Sequence, residues 1–336
     1  DAVMIVTRYI DRSDMFDDLY VAMQAREDIK DLIKVQEARA PVIKFRMDDF
    51  EFKLSMARLN YATLPEDFDV TDDKHLKNVD PESVASLNSV RVTDTIRSLV
   101  PNLISFKYCI QALKFWAKKR GVYNNGLGFL GSISLEIMAA RICQLYPKAL
   151  PSRLLYFFFF TYCQWKWPQP VELAEIVANS HDLNLPVWGY GATEMSDRRH
   201  LMPIISPCYP AQNTAALVSR STLKIMKEMF IRAMGVCKQI HEGKAGWCDL
   251  FEPVDLFSTY ANFLQIQASA RSKADHNMWK GFCAANIHNM ISYLERCPDA
   301  YLDRAHPIQR SYAKPRKGEQ DQYEHLWYVG LKFDHD

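Results

Sequence analysis

The spacing of hydrophobic residues changes twice along this chain of 336 residues, and each change marks a different kind of structure. Residues 1–60 contain stretches with two-residue alternation, typical of strands, around one stretch with helical spacing. From 101 to about 250 the spacing is helical, and from about 260 a strand, a helix and two further strands follow. This order predicts an α+β multidomain protein in which a helical region lies between two regions that contain sheets.

Length and charge narrow the class of protein. A chain of this length is long enough for two or three domains. Its net charge is +1, so no overall field directs it to nucleic acid or to a membrane surface. The longest apolar run lies at 154–163, well short of the about 20 residues that span a bilayer, and we expect no membrane partner. The eight cysteines lack C-x-x-C spacing, which predicts reduced thiols rather than a zinc site or disulfides.

The stretch MDDFEFKLSMARL at 47–59 alternates in a way that predicts a strand with one apolar and one charged face. The apolar side would carry Phe50, Phe52 and Leu54, and the charged side Asp49, Glu51 and Lys53. Two interpretations stay open for the charged side. It is either a solvated face or an acidic metal site in which a lysine replaces one ligand.

The central part of the chain is predicted to be a series of helices. Their ranges are 102–120, 132–146, 151–166, 170–179 and 221–242. Between the first two lies GLGFLG (126–131), which matches the glycine spacing of a dinucleotide fingerprint. Such a fingerprint must follow a strand, whereas this one follows a helix. We therefore predict a helix–loop–helix connection, in which Gly121 ends the first helix and Ser132 or Ser134 caps the second.

The first helix of this pair carries a basic stripe. Lys107, Lys114 and Lys118 are spaced at i, i+7 and i+11, which places them on one side of the helix. Tyr123 and a helix N-terminus near 132 follow directly. Cations, an aromatic ring and free backbone N–H groups suit a nucleoside triphosphate. A solvated basic face is the alternative.

The same segment, ALKFWAKKRGVYNNGLGFLGSISLEIMAARICQLYP, resembles the signature of eukaryotic, nuclear-type poly(A) polymerases. Further motifs in the same order extend the resemblance over the whole chain: LPEDFD, SLNSVRVTDTI, LNLPVW, SDRRHLMPIISPCYPAQN and LWYVGLKF. The resemblance implies three domains. These are a nucleotidyltransferase palm at 1–60, whose upstream portion we expect before residue 1, a helical central domain at 61–251, and an RRM-like RNA-binding domain at 252–336.

The family's reaction, as implied by the resemblance, adds AMP from ATP to the 3′ end of RNA without a template. Two divalent ions, Mg²⁺ or Mn²⁺, are held by three palm aspartates. The resemblance also implies a nuclear location and partners in the cleavage and polyadenylation complex. Transfer of UMP in place of AMP is a weaker alternative, because base choice depends on contacts that a sequence does not reveal.

The family's site residues are carried over position by position. Lys114 and Lys118 resemble the contacts to the triphosphate, and Tyr123 and Asn88 the contacts to the base or ribose. Ser132 stands where the family has glycine, and Ser206 where it has threonine. The implied nucleotide-binding set is Asn88, Lys114, Lys118, Tyr123, Ser132, Ile133 and Ser206.

The palm shows one departure from the family pattern. Asp1 aligns with the second aspartate and is the expected catalytic residue and metal ligand. Lys53 stands at the position of the third. A lysine about 5 Å from Mg²⁺ opposes binding by roughly 5 to 7 kcal/mol at an effective dielectric of about 20. The alternative function is therefore a catalytically impaired homologue that acts as an RNA- or protein-binding subunit of the 3′-end processing machinery.

A second basic cluster lies near the C-terminus, in the segment QRSYAKPRKG. Its cations are candidates for contacts to RNA phosphates. A solvated loop is an equally good interpretation. The residues of this cluster are Arg310, Lys314, Arg316 and Lys317.

Overall fold

The structure, a computed structural model, describes residues 2–36, 41–66, 68–191, 194–298, 301–314 and 323–334. The chain divides into two compact units. Unit 1 comprises Asp1–Ser98, Ala174–Ala192 and Ser206–Ala211, and unit 2 comprises Leu99–Leu173, Thr193–Ile205 and Gln212–Asp336. The proposed domain boundaries after residues 60 and 251 stay predictions.

Unit 1 is built around a four-stranded mixed sheet. Its strand order is β1-β4-β3-β2, with β1 parallel to β4 and the other pairs antiparallel. A short helical segment follows β1 and includes α1, a π-helical turn at Met15–Leu19, and α2. The elements are β1 (Ala2–Val6), α1 (Arg12–Asp14), α2 (Tyr20–Gln24), β2 (Ile29–Val35), β3 (Val42–Met47) and β4 (Phe50–Arg58).

Alternation along β3 and β4 separates a core face from a charged face. Ile43 and Met56 are buried against Met15 and Phe16 of the helical segment. The prediction for β4 is wrong at Phe50, which is 69% exposed. Phe50 is the first residue after the hairpin turn at 48–49, so it lies at the end of the sheet. Strand β2 had no counterpart in the sequence prediction.

All but the last residue of the long helix α3 (Pro81–Leu99) belong to unit 1, and a 3₁₀ turn at Asp73–Leu76 precedes the helix. Arg91 on α3 is fully buried. Its guanidinium donates to the carbonyls of Val70 (Nε, 2.9 Å) and Tyr209 (Nη1, 2.5 Å) and pairs with Asp73. One arginine therefore joins α3 to two loop segments that are distant in sequence.

The helical part of unit 2 encloses an aromatic core. Trp116, Phe158, Phe159, Tyr162 and Phe230 are each at most 1% exposed, because their helices pack face to face. The helices are α4 (Leu103–Lys119), α5 (Ser132–Leu145), α6 (Pro151–Gln164), α7 (Glu194–Asp197), α8 (Arg220–His241) and α9 (Trp247–Leu250). No described helix combines the length and the apolar character that a membrane crossing requires.

The prediction of a helix at 170–179 is wrong. Val171 instead forms an extended bridge, in which its N–H donates to the carbonyl of Pro203 (3.0 Å) and its carbonyl accepts from the N–H of Ile205 (3.0 Å). Pro170 is the first residue of the segment, where a helix tolerates proline, so the pairing of Val171 with residues 203–205 is what excludes the helix. Extended pairing replaces the helix that the apolar spacing indicated.

The C-terminal part of unit 2 returns to strands, as the spacing predicted. Its antiparallel sheet has the order β5-β8-β6, and β7 also pairs with β8. The elements are α10 (Leu256–Thr259), β5 (Asn262–Ala270), α11 (Lys273–Leu294), β6 (Leu302–Pro307), β7 (Tyr312–Lys314) and β8 (Tyr323–Phe333).

Glu295, just after α11, ties this sheet module to the helices of unit 2. Its carboxylate accepts hydrogen bonds from the backbone N–H of Ser221 (2.8 Å) and from the hydroxyl of Ser219 (2.7 Å) at the start of α8. A carboxylate at a helix N-terminus satisfies unpaired N–H groups there. The module is therefore fixed to the helical part by a capping interaction.

Candidate nucleotide-binding site

The connection between α4 and α5 is a tightly folded loop. Gly121 adopts φ +68° after the end of α4, and the Val122 N–H returns to the carbonyl of Ala117 (2.9 Å). Gly128 adopts φ +81°, and a Cβ there would lie 2.8 Å from the carbonyl oxygen of Leu217. GLGFLG is thus a helix–loop–helix connection, as predicted, in which Gly128 is required by backbone packing.

Lys118 and Tyr123 lie together at the start of this loop. The Lys118 ammonium is 5.3 Å from the centroid of the Tyr123 ring, within the range of a cation–π contact. Tyr123 is held in place by a parallel bridge to Leu130, directly before α5. The structure therefore brings a cation and an aromatic ring together beside the beginning of a helix.

Lys114 has an acidic partner that the sequence analysis missed. Its ammonium lies 2.6 Å from Oε1 of Glu136 on α5. The Ser132 hydroxyl donates to the same carboxylate oxygen at 2.9 Å. Glu136 is one helical turn after Ser132, which is the only signal that the sequence offers for this contact. Lys114 and Ser132 are thus joined through Glu136.

The N-terminus of α5 differs from the prediction in its cap. Gly131, not Ser132 or Ser134, is the N-cap residue, and no side chain caps the helix there. Ser134 points elsewhere and donates to the carbonyl of Thr214 (3.1 Å). Ser132 and the half-buried Ile133 occupy the first turn. A helix start without a side-chain cap presents backbone N–H groups that attract anions.

The other two predicted nucleotide contacts belong to unit 1. The Asn88 side-chain oxygen accepts a hydrogen bond from Nη1 of Arg91 (3.3 Å), so the buried arginine orients this amide. Ser206 is 5% exposed. Arg91 was not singled out from the sequence, although its position three residues after Asn88 places both on one side of α3.

The charged face of the unit 1 sheet carries two lysines opposite each other. In the β3–β4 ladder Lys44 is the direct partner of Lys53. Burial of Lys44 lowers the pKa of its ammonium, the charge of Lys53 acts in the same direction, and Glu51 opposes both. Asp1, the expected metal ligand, lies outside the described residues.

The described part of this face does not fit a divalent-metal site. Glu51 is the only carboxylate that β3 and β4 place on it, beside Lys44, Arg46 and Lys53. Throughout the described ranges, no three His, Cys, Asp or Glu side chains are grouped closely enough to hold an ion. Mg²⁺ requires oxygen ligands, which ammonium groups cannot replace.

The predicted RNA patch is described only in part. The Arg310 guanidinium lies 5.2 Å from the centroid of the Tyr312 ring. The backbone of Lys314 pairs with Glu324 in the β7–β8 ladder. Arg316 and Lys317 lie outside the described residues, so the patch as a whole stays a prediction.

The two sheets and the helices between them define the class of this chain: it is an α+β multidomain protein. Three family models match successive parts of the chain. These are the poly(A) polymerase nucleotidyltransferase domain at 1–100, the poly(A) polymerase central domain at 105–253, and the poly(A) polymerase predicted RNA binding domain at 255–326. The chain belongs to the poly(A) polymerase family.

Curated relatives agree with the family models. The chain is 36% identical over 335 residues to a poly(A) polymerase of Dictyostelium discoideum, covering 99% of this chain and 41% of the relative. It is 38% identical over 322 residues to nuclear poly(A) polymerase 1 of Arabidopsis thaliana, covering 93% and 45%. The chain therefore spans less than half the length of these relatives.

Solved structures give a more distant likeness. One is the Cid1 poly(U) polymerase with Mg 3′-dATP bound, with a TM-score of 0.45 and 15% identity over 76% of this chain and 81% of that chain. Another is a cytoplasmic RNA terminal U-transferase, with a TM-score of 0.49 and 16% identity over 76% and 80%.

Proposed function

We propose that this chain is part of an enzyme that transfers AMP from ATP to the 3′-hydroxyl of RNA without a template. The observation that carries the proposal is the pairing of Lys118 with Tyr123 beside the uncapped start of α5. A cation, an aromatic ring and helix N–H groups together suit the triphosphate and base of ATP. Membership of the poly(A) polymerase family supports the same reaction.

In the proposed reaction the RNA 3′-oxygen attacks the α-phosphorus of ATP. A new phosphodiester bond forms, the bond between the α-phosphorus and the bridging oxygen breaks, the hydroxyl proton is lost to solvent, and pyrophosphate leaves. Negative charge grows on the leaving pyrophosphate. Lys114, Lys118 and the first-turn N–H groups at Ser132 and Ile133 would stabilise that charge. Tyr123 would contact the base or ribose.

Asn88 and Ser206 of unit 1 are also proposed as nucleotide contacts. The hydrogen bond from Arg91 fixes the Asn88 side-chain oxygen, which leaves the amide N–H₂ group to act as a donor to the nucleotide. Ser206 keeps a hydroxyl where the family has threonine. These two roles rest on the family pattern.

RNA is the proposed second substrate. Arg310, Lys314, Arg316 and Lys317 would contact its phosphates, and the family model for an RNA-binding domain supports this part of the proposal. A nuclear location and partners in the cleavage and polyadenylation complex belong to the same proposal. Relatives named as nuclear poly(A) polymerases support the location.

Nucleotidyltransferases as a family generally use divalent metal ions. Mg²⁺ or Mn²⁺, with Asp1 as one ligand, is the cofactor proposed from the family pattern. The described residues around Lys53 supply no carboxylate cluster for it. We therefore propose that catalysis is slower than in relatives with an aspartate at position 53.

A second candidate function is a binding subunit with little transferase activity. This candidate follows from the family pattern, because Lys53 stands where that pattern places a metal-ligating aspartate. The nucleotide contacts around Lys118 would persist in such a protein. It would bind ATP and RNA without rapid transfer.

Primer extension tests the proposal. The full-length protein would be incubated with oligo(A) and ATP in Mg²⁺ or Mn²⁺, beside the variant Lys53→Asp and the control Lys77→Asp, which changes an exposed lysine of unit 1 outside the sheet. We expect slow extension by the natural protein and the control, and faster extension by Lys53→Asp. If none of the three proteins extends the primer although each still binds ATP, the result would support the binding subunit instead of the transferase.

A further inference from the structure

The sheet of the C-terminal module is covered differently on its two faces. Helix α11 packs against one face, where the rings of His276 on α11 and His325 on β8 lie 6.1 Å apart. Side chains alternate along a strand, so Leu326 and Tyr328 of β8 lie on the opposite face, and residues directly opposed in a ladder share a face. We call the face opposite α11 the front face. The residues that the ladders assign to it are Phe263, Gln265, Gln267, Tyr312, Leu326 and Tyr328.

Part of the front face is covered by α10. Leu256 and Tyr260, at the start of α10 and directly after it, belong to a buried cluster against which Tyr328 packs. Further along β5, Gln265 and Gln267 are exposed. The part of the front face that carries these two amides is therefore open to solvent.

Four aromatic rings lie at the border between the covered and the open part. The ring centroid of Phe257, on α10, is 5.3 Å from that of Phe263, 5.4 Å from that of Tyr328 and 6.2 Å from that of Tyr312. The centroids of Tyr312 and Tyr328 are 5.8 Å apart. Phe257 is nevertheless 46% exposed, and Tyr312 is exposed in part. An aromatic cluster that stays accessible presents ring surface on which a planar ligand can stack.

Arg310 places a cation at the edge of this cluster. Its exposed guanidinium lies 5.2 Å from the centroid of the Tyr312 ring. A guanidinium donates to phosphate oxygens and stacks on flat rings. Single-stranded nucleic acid alternates flat bases with negative phosphates, so rings beside a cation match its chemistry, whereas an apolar peptide supplies no partner for the cation.

A carboxylate on the front face lies away from the rings. Glu324 is four residues from Tyr328 on β8, which is about 13 Å along the strand. Its carboxylate accepts a hydrogen bond from the side-chain amide of Gln267 at 3.0 Å. At that distance its repulsion of a phosphate beside Tyr328 is largely screened in physiological salt.

We propose that Phe257 and Tyr312 stack with bases of single-stranded RNA and that Arg310 contacts a neighbouring phosphate. The inference deepens the proposed function and rests on it, since that function makes RNA the second substrate. The cation cluster proposed above contacts phosphates alone, whereas the two rings add a contact to bases. Binding by the C-terminal module then depends on unpaired bases, because paired bases are stacked on each other within a duplex.

Titrations of the full-length protein with two oligonucleotides of equal length test the proposal. One is fluorescent oligo(A), and the other has the same phosphate backbone without bases. Phe257→Leu and Tyr312→Leu keep an apolar side chain but remove the ring, and each is expected to weaken binding of oligo(A) about tenfold. Affinity for the abasic oligonucleotide is expected to change less than about twofold, because its phosphates are unchanged. Phe282→Leu is the control, since this ring is 60% exposed on α11, on the other side of the sheet. It is expected to change neither affinity by more than about twofold.

Two further variants separate the roles of the ring and the cation. Arg310→Gln is expected to weaken binding of both oligonucleotides and to lower the slope of log affinity against log salt by about 0.7, the value for one phosphate contact on a single strand. Phe257→Tyr keeps a ring and is expected to retain affinity for oligo(A) within about twofold. Tyr312→Leu supplies the test if Phe257→Leu does not fold. Unchanged affinity for oligo(A) in the leucine variants overturns the proposal, and so does an equal loss of affinity for both oligonucleotides.

The outcome is separable from that of primer extension. Binding of oligo(A) that depends on the two rings, in a protein that extends no primer, supports this inference and contradicts the proposed transfer. Extension in which both leucine variants keep the natural KM for oligo(A) contradicts this inference and supports the transfer. The KM for ATP is expected to be unchanged in these variants, since neither ring belongs to the candidate nucleotide-binding site. Circular dichroism and thermal unfolding of each variant establish that affinities are compared between folded proteins.

Discussion

The imidazole of His306 donates a hydrogen bond from Nε2 to the backbone carbonyl of Gly121, at 3.1 Å. Because a carbonyl only accepts, the proton is on Nε2, and Nδ1 accepts from the hydroxyl of Tyr260 at 3.0 Å. Gly121 directly follows the helix that carries Lys118. One histidine of the C-terminal module therefore holds the end of the helix that forms the candidate site.

The burial of His306 makes the stability of unit 2 sensitive to acid. Burial lowers the pKa of His306 to about 4, and nearby Arg304 acts in the same direction. In the unfolded chain the pKa is about 6.5. Below pH 6.5 the unfolded state gains a proton that the folded state does not, so stability falls until pH 4. The contribution lost by pH 4.5 is roughly 2 to 3 kcal/mol.

Urea unfolding at pH 7 and pH 4.5 measures this effect. His306→Gln is expected to be less stable at pH 7, because it disrupts two buried hydrogen bonds, but to lose less stability on acidification than the natural protein. The comparison isolates His306 from other histidines, since those are present in both proteins. Equal losses in the two proteins would show that His306 does not control the acid response.

Lys118 and the neighbouring Lys119 form a matched pair for testing the nucleotide site. Both ammonium groups lie 5.3 Å from an aromatic centroid, Lys118 at Tyr123 and Lys119 at Phe115. If Lys118 contacts the triphosphate, Lys118→Gln raises the KM for ATP about tenfold, whereas Lys119→Gln changes it less than about twofold. Steady-state kinetics of primer extension, or equilibrium ATP binding, measures both. Equal effects of the two substitutions would show that Lys118 contributes only to the general surface charge and does not contact the triphosphate.

Glu136 partly neutralises Lys114 in the absence of nucleotide. The side chain of Glu136 is only 15% exposed, so the contact is more than a surface ion pair. Glu136→Gln is expected to tighten ATP binding about threefold. In the natural protein Lys114 must give up its ion pair with Glu136 to contact a phosphate, and in the variant there is no such pair to lose. It is also expected to lower stability by about 1 kcal/mol. Weaker ATP binding would instead show that Glu136 is needed to position Lys114.

The helices around the site were predictable because their apolar residues follow a strong period over many turns. The stripe that contains Lys114 and Lys118 followed from the same period. The contact between Lys114 and Glu136 was not predictable, since it joins two helices and depends on how they pack. The prediction of a helix at 170–179 failed because apolar spacing does not reveal that Val171 pairs with residues 203–205, about 30 residues further along the chain.

The sheet of unit 1 also contains a contact between two elements that the sequence pattern does not predict. Alternation in 47–59 assigned Lys53 to the charged face, but the residue opposite Lys53 depends on the register of the β3–β4 ladder. That register pairs Lys53 with Lys44. The sequence suggests Lys53 as the replacement of a metal ligand but does not reveal its like-charged partner. Register is therefore the information that the alternation of side chains does not supply.

Arg91 offers a test of how unit 1 holds the candidate nucleotide contact at Asn88. Its buried guanidinium joins α3 to Val70 and Tyr209 and pairs with Asp73, so Arg91→Met leaves a carboxylate and two carbonyls without their donor. We expect a loss of about 3 to 5 kcal/mol in the free energy of unfolding.

Arg97 on the same helix provides the control for this variant. Its side chain is 65% exposed and lies 3.9 Å from Asp94, so Arg97→Met is expected to change stability by less than about 0.5 kcal/mol. Urea unfolding of both variants at pH 7 gives the comparison. A loss below about 1 kcal/mol for Arg91→Met would mean that the loops are held mainly by other contacts. Weaker ATP binding by Arg91→Met than by Arg97→Met would show that the hydrogen bond from Arg91 orients Asn88.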